Sequence, residues 1–165
     1  MPVSGTIKVE IRLADRITSN TTGAVKHDIT ETYTWNLSDG TGADQADDIW
    51  SADFNLAATS TTYDLTALTG PRGTVTFTKI KGIWIYVSTA TDGHTLLVGN
   101  AASNQWYAPF SGATVTHEVM AGGAWMALSH KAQTTNPWTV DSSNKNLKLD
   151  AGANTIAGTI IIWGV

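Results

Sequence analysis

One fifteen-residue stretch, Gly73–Val87 (GTVTFTKIKGIWIYV), restricts the fold of this chain more than any other. Up to Phe77 the apolar residues Val75 and Phe77 alternate with threonines, the period of a half-buried strand. From Ile80 onward both faces are apolar, with Ile80, Trp84 and Tyr86 on one and Ile83, Ile85 and Val87 on the other. A strand apolar on both faces needs cover on both, which places it centrally in a layered structure. Its β-branched and aromatic residues argue against a helix. The change of face falls at Thr78–Lys81, where a bulge is expected to re-aim the strand, and Gly82 leaves room for close packing. Thr155–Trp163 has the same two-faced character and is the expected partner.

The remaining composition narrows the class. At 165 residues the chain suits one domain, and folding at that size buries roughly 70% of the unfolded surface, enough for a core without staples. It has no cysteine, which excludes disulfides and a thiol nucleophile and suits assembly in a reducing cytosol. Charged residues are 15% and the net charge is −4; lysines and arginines are few and unclustered, which argues against a nucleic-acid partner. Met1–Gly5 carries no signal-peptide pattern. The longest apolar run, around Ile160–Trp163, is too short to span a bilayer, so no membrane partner is expected. Threonine and glycine are abundant and helical periodicity is scarce, so the expectation is all-β, an antiparallel β-sandwich or jelly roll.

Read in order, the chain opens with Ile7, Val9, Ile11 and Leu13 alternating with Lys8, Glu10 and Arg12. After a polar turn, Val25, His27, Ile29, Glu31, Tyr33, Trp35 and Leu37 share one face of a long second strand whose other face is polar. These two strands are expected to form an N-terminal β-hairpin arm over residues 1–37, with the sandwich body over 38–165. An isolated hairpin is marginal in water, so it must pack on the body or on a neighbouring subunit. Ser38–Asp48 (SDGTGADQADD) reads as a connection with one helical turn after Asp44. Strands are then expected at Trp50–Leu56 and from Tyr63 to Leu65. Beyond the central element, Thr91-Asp92-Gly93 reads as a hairpin turn into His94–Gly99. Further strands are expected at Val115–Val119, Trp125–His130, Trp138–Asp141, Leu147–Leu149 and Thr155–Trp163, giving a body of about eight strands spaced by turns.

No residue grouping points to chemistry. Asp39, Asp44, Asp47, Asp48 and Asp53 are a carboxylate cluster, but the spacing is not that of an EF-hand, and turn and capping roles explain them as well. His27, His94, His117 and His130 lack metal-ligand spacing; His117 and His130 are expected to meet across adjacent strands. There is no nucleophile elbow, phosphate-cradling loop or Ser-His-Asp grouping. The expectation is a non-enzymatic chain with no cofactor and no metal. Seven tryptophans are more than such a domain needs. Trp50, Trp84 and Trp163 fit core patterns, while Trp35, Tyr33, Ile29, Trp106, Tyr107, Phe110 and Trp138 are the candidate interface. Those rings would be anchors against another protein or a stacking platform for carbohydrate.

The run Gly40–Leu68, GTGADQADDIWSADFNLAATSTTYDLTAL, resembles the GTGANQAD…WSDTRTLAASATEDLDLAG signature of a family of small tailed-bacteriophage virion structural proteins. The next segment, GTVTFTKIKGIWI, is similar to the family's GATLTFARIKAIYI. LLVGNAASN, VMAGGAWMAL and the closing NTIAGTIIIWGV match more loosely. The family's Thr-Arg-Thr is Asp53-Phe54-Asn55 here, so no role of that arginine carries over. The resemblance implies a virion component without enzymatic activity. The leading placement it implies is a capsid decoration (cement) protein that binds the major capsid protein and further copies of itself, as a homotrimer, on the capsid surface. Its alternative is a tail or fibre component with a receptor- or carbohydrate-binding surface.

Overall fold

The computed structural model describes residues 3–19, 23–71, 73–129 and 138–165, and for residues 14–19 and 23–27 the backbone alone. The described residues form thirteen strands and no helix. They are β1 (Gly5–Ser19), β2 (Gly23–Asp39), β3 (Gln45–Ala46), β4 (Asp48–Ala57), β5 (Ser60–Asp64), β6 (Leu68–Gly70), β7 (Gly73–Val75), β8 (Ile80–Val87), β9 (Thr95–Gly99), β10 (Thr116–Met120), β11 (Ala124–Leu128), β12 (Asn146–Asp150) and β13 (Thr155–Gly164).

Eight of these strands make the body, as two antiparallel four-stranded sheets ordered β11-β8-β13-β4 and β10-β9-β12-β5. The chain changes sheet at nearly every connection, staying in one sheet only from β9 to β10. This alternation is the jelly-roll form of the sandwich. It also explains two departures from the expected hairpins. The Thr91-Asp92-Gly93 turn, with Gly93 at φ 76°, carries the chain from one sheet to the other. The turn after Met120 likewise joins β10 and β11 of different sheets, so His117 has no in-sheet neighbour on β11; it stacks on Trp125, with centroids 5.0 Å apart. His130 lies outside the described residues.

The two doubly apolar strands sit side by side. β13 pairs with β8 on one side and with β4 on the other. Ile156, Ile160 and Ile162 of β13 and Ile83, Ile85 and Val87 of β8 are fully buried between the sheets, together with Leu96, Val98, Leu147 and Leu149 from the facing sheet. Side-chain alternation then sends Trp84, Ile161 and Trp163 to the outer face of the same sheet. The central stretch is not one continuous strand: Gly73–Val75 pairs back on Leu68–Gly70 as a small hairpin, and the sheet strand starts at Ile80. The expected bulge is present. β13 pairs Trp163 with Gly82 and Gly164 with Ile80, which leaves Lys81 as the extra residue. That residue flips the face, so Ile80 points inward with Ile83 instead of outward with Trp84. A Cβ at Gly82 would run into the Trp163 ring, which accounts for the glycine.

Trp138–Asp141 does not form a strand. Only isolated bridges, Lys79 with Thr139 and Asp141 with Asn144, occur there. The Asp141 carboxylate accepts hydrogen bonds from the Ser143 and Asn144 amides at 2.7 and 2.9 Å, an Asx turn that competes with sheet pairing. The expected helical turn after Asp44 is also absent: Gln45–Ala46 pairs parallel with Ser38–Asp39.

Candidate interaction surface

The N-terminal ribbon is the part of the molecule that the body does not enclose. β1 and β2 pair in unbroken antiparallel register from Gly5–Leu37 to Ser19–Gly23. The pairing sets Ile7 opposite Trp35, Val9 opposite Tyr33, Ile11 opposite Glu31 and Leu13 opposite Ile29. Directly opposed residues share a face, so over these four pairs one side of the ribbon is apolar except at Glu31. On the other side Lys8 and Arg12 both pair with Glu10. A strand of fifteen residues spans about 50 Å at the usual rise of ~3.4 Å per residue.

Among the described residues, only the root of this ribbon is covered. Trp35 and Leu37 pack with Trp163, and Ile7, Trp84, Leu128 and Ile161 close around them, forming a second apolar cluster on the outer face of the β11-β8-β13-β4 sheet. Burying an aromatic ring such as Trp35 contributes on the order of 4–6 kcal/mol of transfer free energy before ordering costs. The loop Gly40–Asp47 locks the arrangement. Trp35 Nε1 donates to Asp44 Oδ1 at 2.8 Å, the Ser38 amide to the Asp44 carbonyl at 3.0 Å, and the Asp47 amide to the Gly164 carbonyl at 2.9 Å. The Gln45 side chain lies over Gly40 and Gly42 and accepts from the Gly42 amide at 2.7 Å. Gly40 has φ 127°, a conformation that favours glycine.

The bulge residue Lys81 completes this latch. Its side chain is buried on the outer face, and Nζ donates to the Gly42 carbonyl. Burial lowers its pKa below the ordinary lysine value, an effect the Asp47 and Asp44 carboxylates oppose and Lys79 reinforces. The aspartates of this region therefore have separate tasks. Asp39 accepts from the Val3 amide at 2.8 Å, Asp44 from Trp35, and Asp53 from the Thr159 hydroxyl at 2.7 Å. Among the described residues no three His, Asp or Glu side chains gather closely enough to hold a metal ion.

Past the root the same face is open. Ile11 is 50% exposed and Leu13 60%, with Ile29 and Tyr33 near 40%. Between the root and the sheet an open cleft of about 710 Å³ remains, its sheet side lined by Ile49, Trp84, Ala124, Met126, Ile161 and Trp163. Trp84 is thus not a core residue between the sheets: it is half-buried on this outer face and stacks on Tyr86. Trp163 is buried, but beneath the ribbon.

The candidate interface residues divide accordingly. Ile29, Tyr33 and Tyr107 are exposed. Trp35 and Trp106 are not available to a partner, since both are fully buried within this chain. Trp106 closes one end of the sandwich: its amide donates to the Asn146 carbonyl at 2.9 Å, and its ring meets Trp138 edge-on with centroids 6.0 Å apart. The loop position suggested exposure, but the pairing of this loop with Asn146 pulls the ring inside. Trp138 and Phe110 are half-buried against the core, and Phe110 stacks on Trp125. Sequence reasoning missed Ile11, Leu13, Ile49 and Met126 as surface candidates, although the alternation already put the first two on the apolar face. A scan against protein-family models and a search of curated proteins each found no match to this chain.

Proposed function

We propose that this chain is a non-enzymatic structural component of a tailed-phage virion, a decoration protein that binds between capsomers of the major capsid protein and stabilises the head. The observation that carries the reading is the division of labour in the fold. A jelly-roll body with a filled interior carries a long ribbon whose apolar face is left for contact. The likeness of Gly40–Ile85 to small virion proteins supports the same reading. A small protein of low charge gains hold on a shell by repeating a modest contact at many symmetric positions. Binding the expanded lattice in preference to free subunits stabilises that lattice by mass action.

The test is cosedimentation of the purified protein with mature heads and with unexpanded procapsids of the same phage, followed by a cryo-EM map of the decorated particle. The expected result is saturable binding to mature heads only, with jelly-roll density at capsomer junctions. Density on the tail or fibres, or no binding to heads, overturns the head placement.

A further inference from the structure

We infer that the exposed ribbon face of Ile11, Leu13, Ile29 and Tyr33 docks into the apolar cleft of a second copy of this chain, so that the protein assembles by exchanging ribbons. The chain carries both halves of such a contact. One half is the tip face of Ile11, Leu13, Ile29 and Tyr33. The other is the sheet face of Ile49, Trp84, Ala124, Met126 and Ile161, left open beside the ribbon root. The kind of fit is already present within one chain, because the root of this same ribbon face packs on this same sheet face through Trp35, Leu37 and Trp163. The intermolecular contact would continue that interface.

One molecule cannot satisfy itself. The lining of the cleft includes β1 only from Gly5 to Glu10, and the strand runs on to Ser19. The tip therefore stands beyond its own cleft by several residues, each advancing about 3.4 Å. Every copy would use both surfaces, one toward each neighbour. Tip and cleft are different surfaces, so two copies can exchange tips about a twofold axis, an isologous pair, or a head-to-tail contact can close as a ring.

The inference does not rest on a virion role, and it is tested on purified protein by light scattering coupled to size exclusion at tens of micromolar. The wild type is expected at a whole multiple, two or more, of the 17.5 kDa chain. A tip variant, I11K combined with L13K, and a cleft variant, I49K, are each expected at the single-chain mass. Both change exposed side chains, and unchanged melting would confirm that the body still folds. Mixing the two variants is expected to restore association, because the intact tip of the second fits the intact cleft of the first. A monomeric wild type overturns the inference, as does a tip variant that stays associated. A cleft variant that stays associated while the tip variant falls apart points to tip-against-tip packing and also overturns it.

Discussion

The body and the ribbon are built from the same alternating strands, yet they use their apolar faces in opposite ways. In the body each inner face meets another sheet, and Ile83, Ile85, Leu96, Leu147 and Ile160 are completely removed from water. In the ribbon the alternation is as regular, but among the described residues only Trp35 and Leu37 at the root are buried, while Leu13 stays 60% exposed. Alternation thus determines which side chains share a face. What covers the face depends on chain length, because a ribbon about 50 Å long overshoots a sheet whose strands have eight to ten residues at the contact.

The sharpest break of the comparison is a substitution confined to the body. A Cβ at Gly158 would fall on the Tyr86 carbonyl oxygen and the Phe54 ring. The first of these is backbone of the neighbouring strand and cannot swing aside. Gly158→Val is expected to cost about 3 kcal/mol or more through forced separation of β13 from β8, and to yield a chain that melts far below the wild type by circular dichroism or does not fold. Gly82→Val makes the informative contrast. Its added carbons would strike the Trp163 ring, a side chain on the ribbon side of the sheet, so the damage should reach the root before the core. A Gly158→Val protein melting within a degree or two of wild type would refute the close packing of these central strands.

Trp35→Ala attacks the ribbon from its own side. Removing a buried tryptophan costs about 3–5 kcal/mol, but here the loss falls on docking of the root and not on the sandwich. The expected outcome is a body that melts nearly as before, with the segment from Gly5 to Asp39 cut much faster in limited proteolysis read by mass spectrometry. If the whole molecule instead unfolds with a large drop in melting temperature, body and ribbon are one cooperative unit and the contrast between them dissolves.

Much of this was legible in the sequence for a physical reason. Strands apolar on both faces, Ile80–Val87 and Thr155–Trp163, announce themselves because neither face carries a run of polar residues, and strict alternation set the shared face of Ile7 through Leu13. The bulge at Lys81 was legible because the apolar set changes parity there. Less legible was anything decided by which sheet a strand joins. The turns after Val87 and Met120 look like hairpin turns, yet they carry the chain between layers, and turn residues do not encode that choice. Trp106 was misplaced for the same reason: a loop residue becomes core when the loop crosses the end of the sandwich, and only the pairing with Asn146 reveals it. Lys81 gave no signal as a latch, since its acceptor is a backbone carbonyl, that of Gly42.

That lysine offers the finest test of how the ribbon is joined to the body. Its pKa in the folded protein is lowered, chiefly by burial, so between that value and the ordinary lysine pKa near 10.4 the unfolded chain holds more protons than the folded one. Stability contributed at this position is therefore greatest above the unfolded pKa and is lost as pH falls through the folded value. Lys81→Met keeps much of the stem while removing the charge, and with it this pH dependence. The stability difference between wild type and variant should move in favour of the wild type as pH is raised from neutral toward 10. Tyr63, whose pKa burial raises, loses stability in the alkaline range in both proteins and cancels in the difference. The shift should be small beside the effects of Gly158→Val and Trp35→Ala, because Asp47 and Asp44 already offset part of the cost of burying the ammonium. Chemical denaturation of the pair at several pH values reads it directly. A difference that stays flat, or moves toward the variant, would mean that Lys81 keeps its charge in water and that the hydrogen bonds of Asp44 and Gln45 hold the root without it.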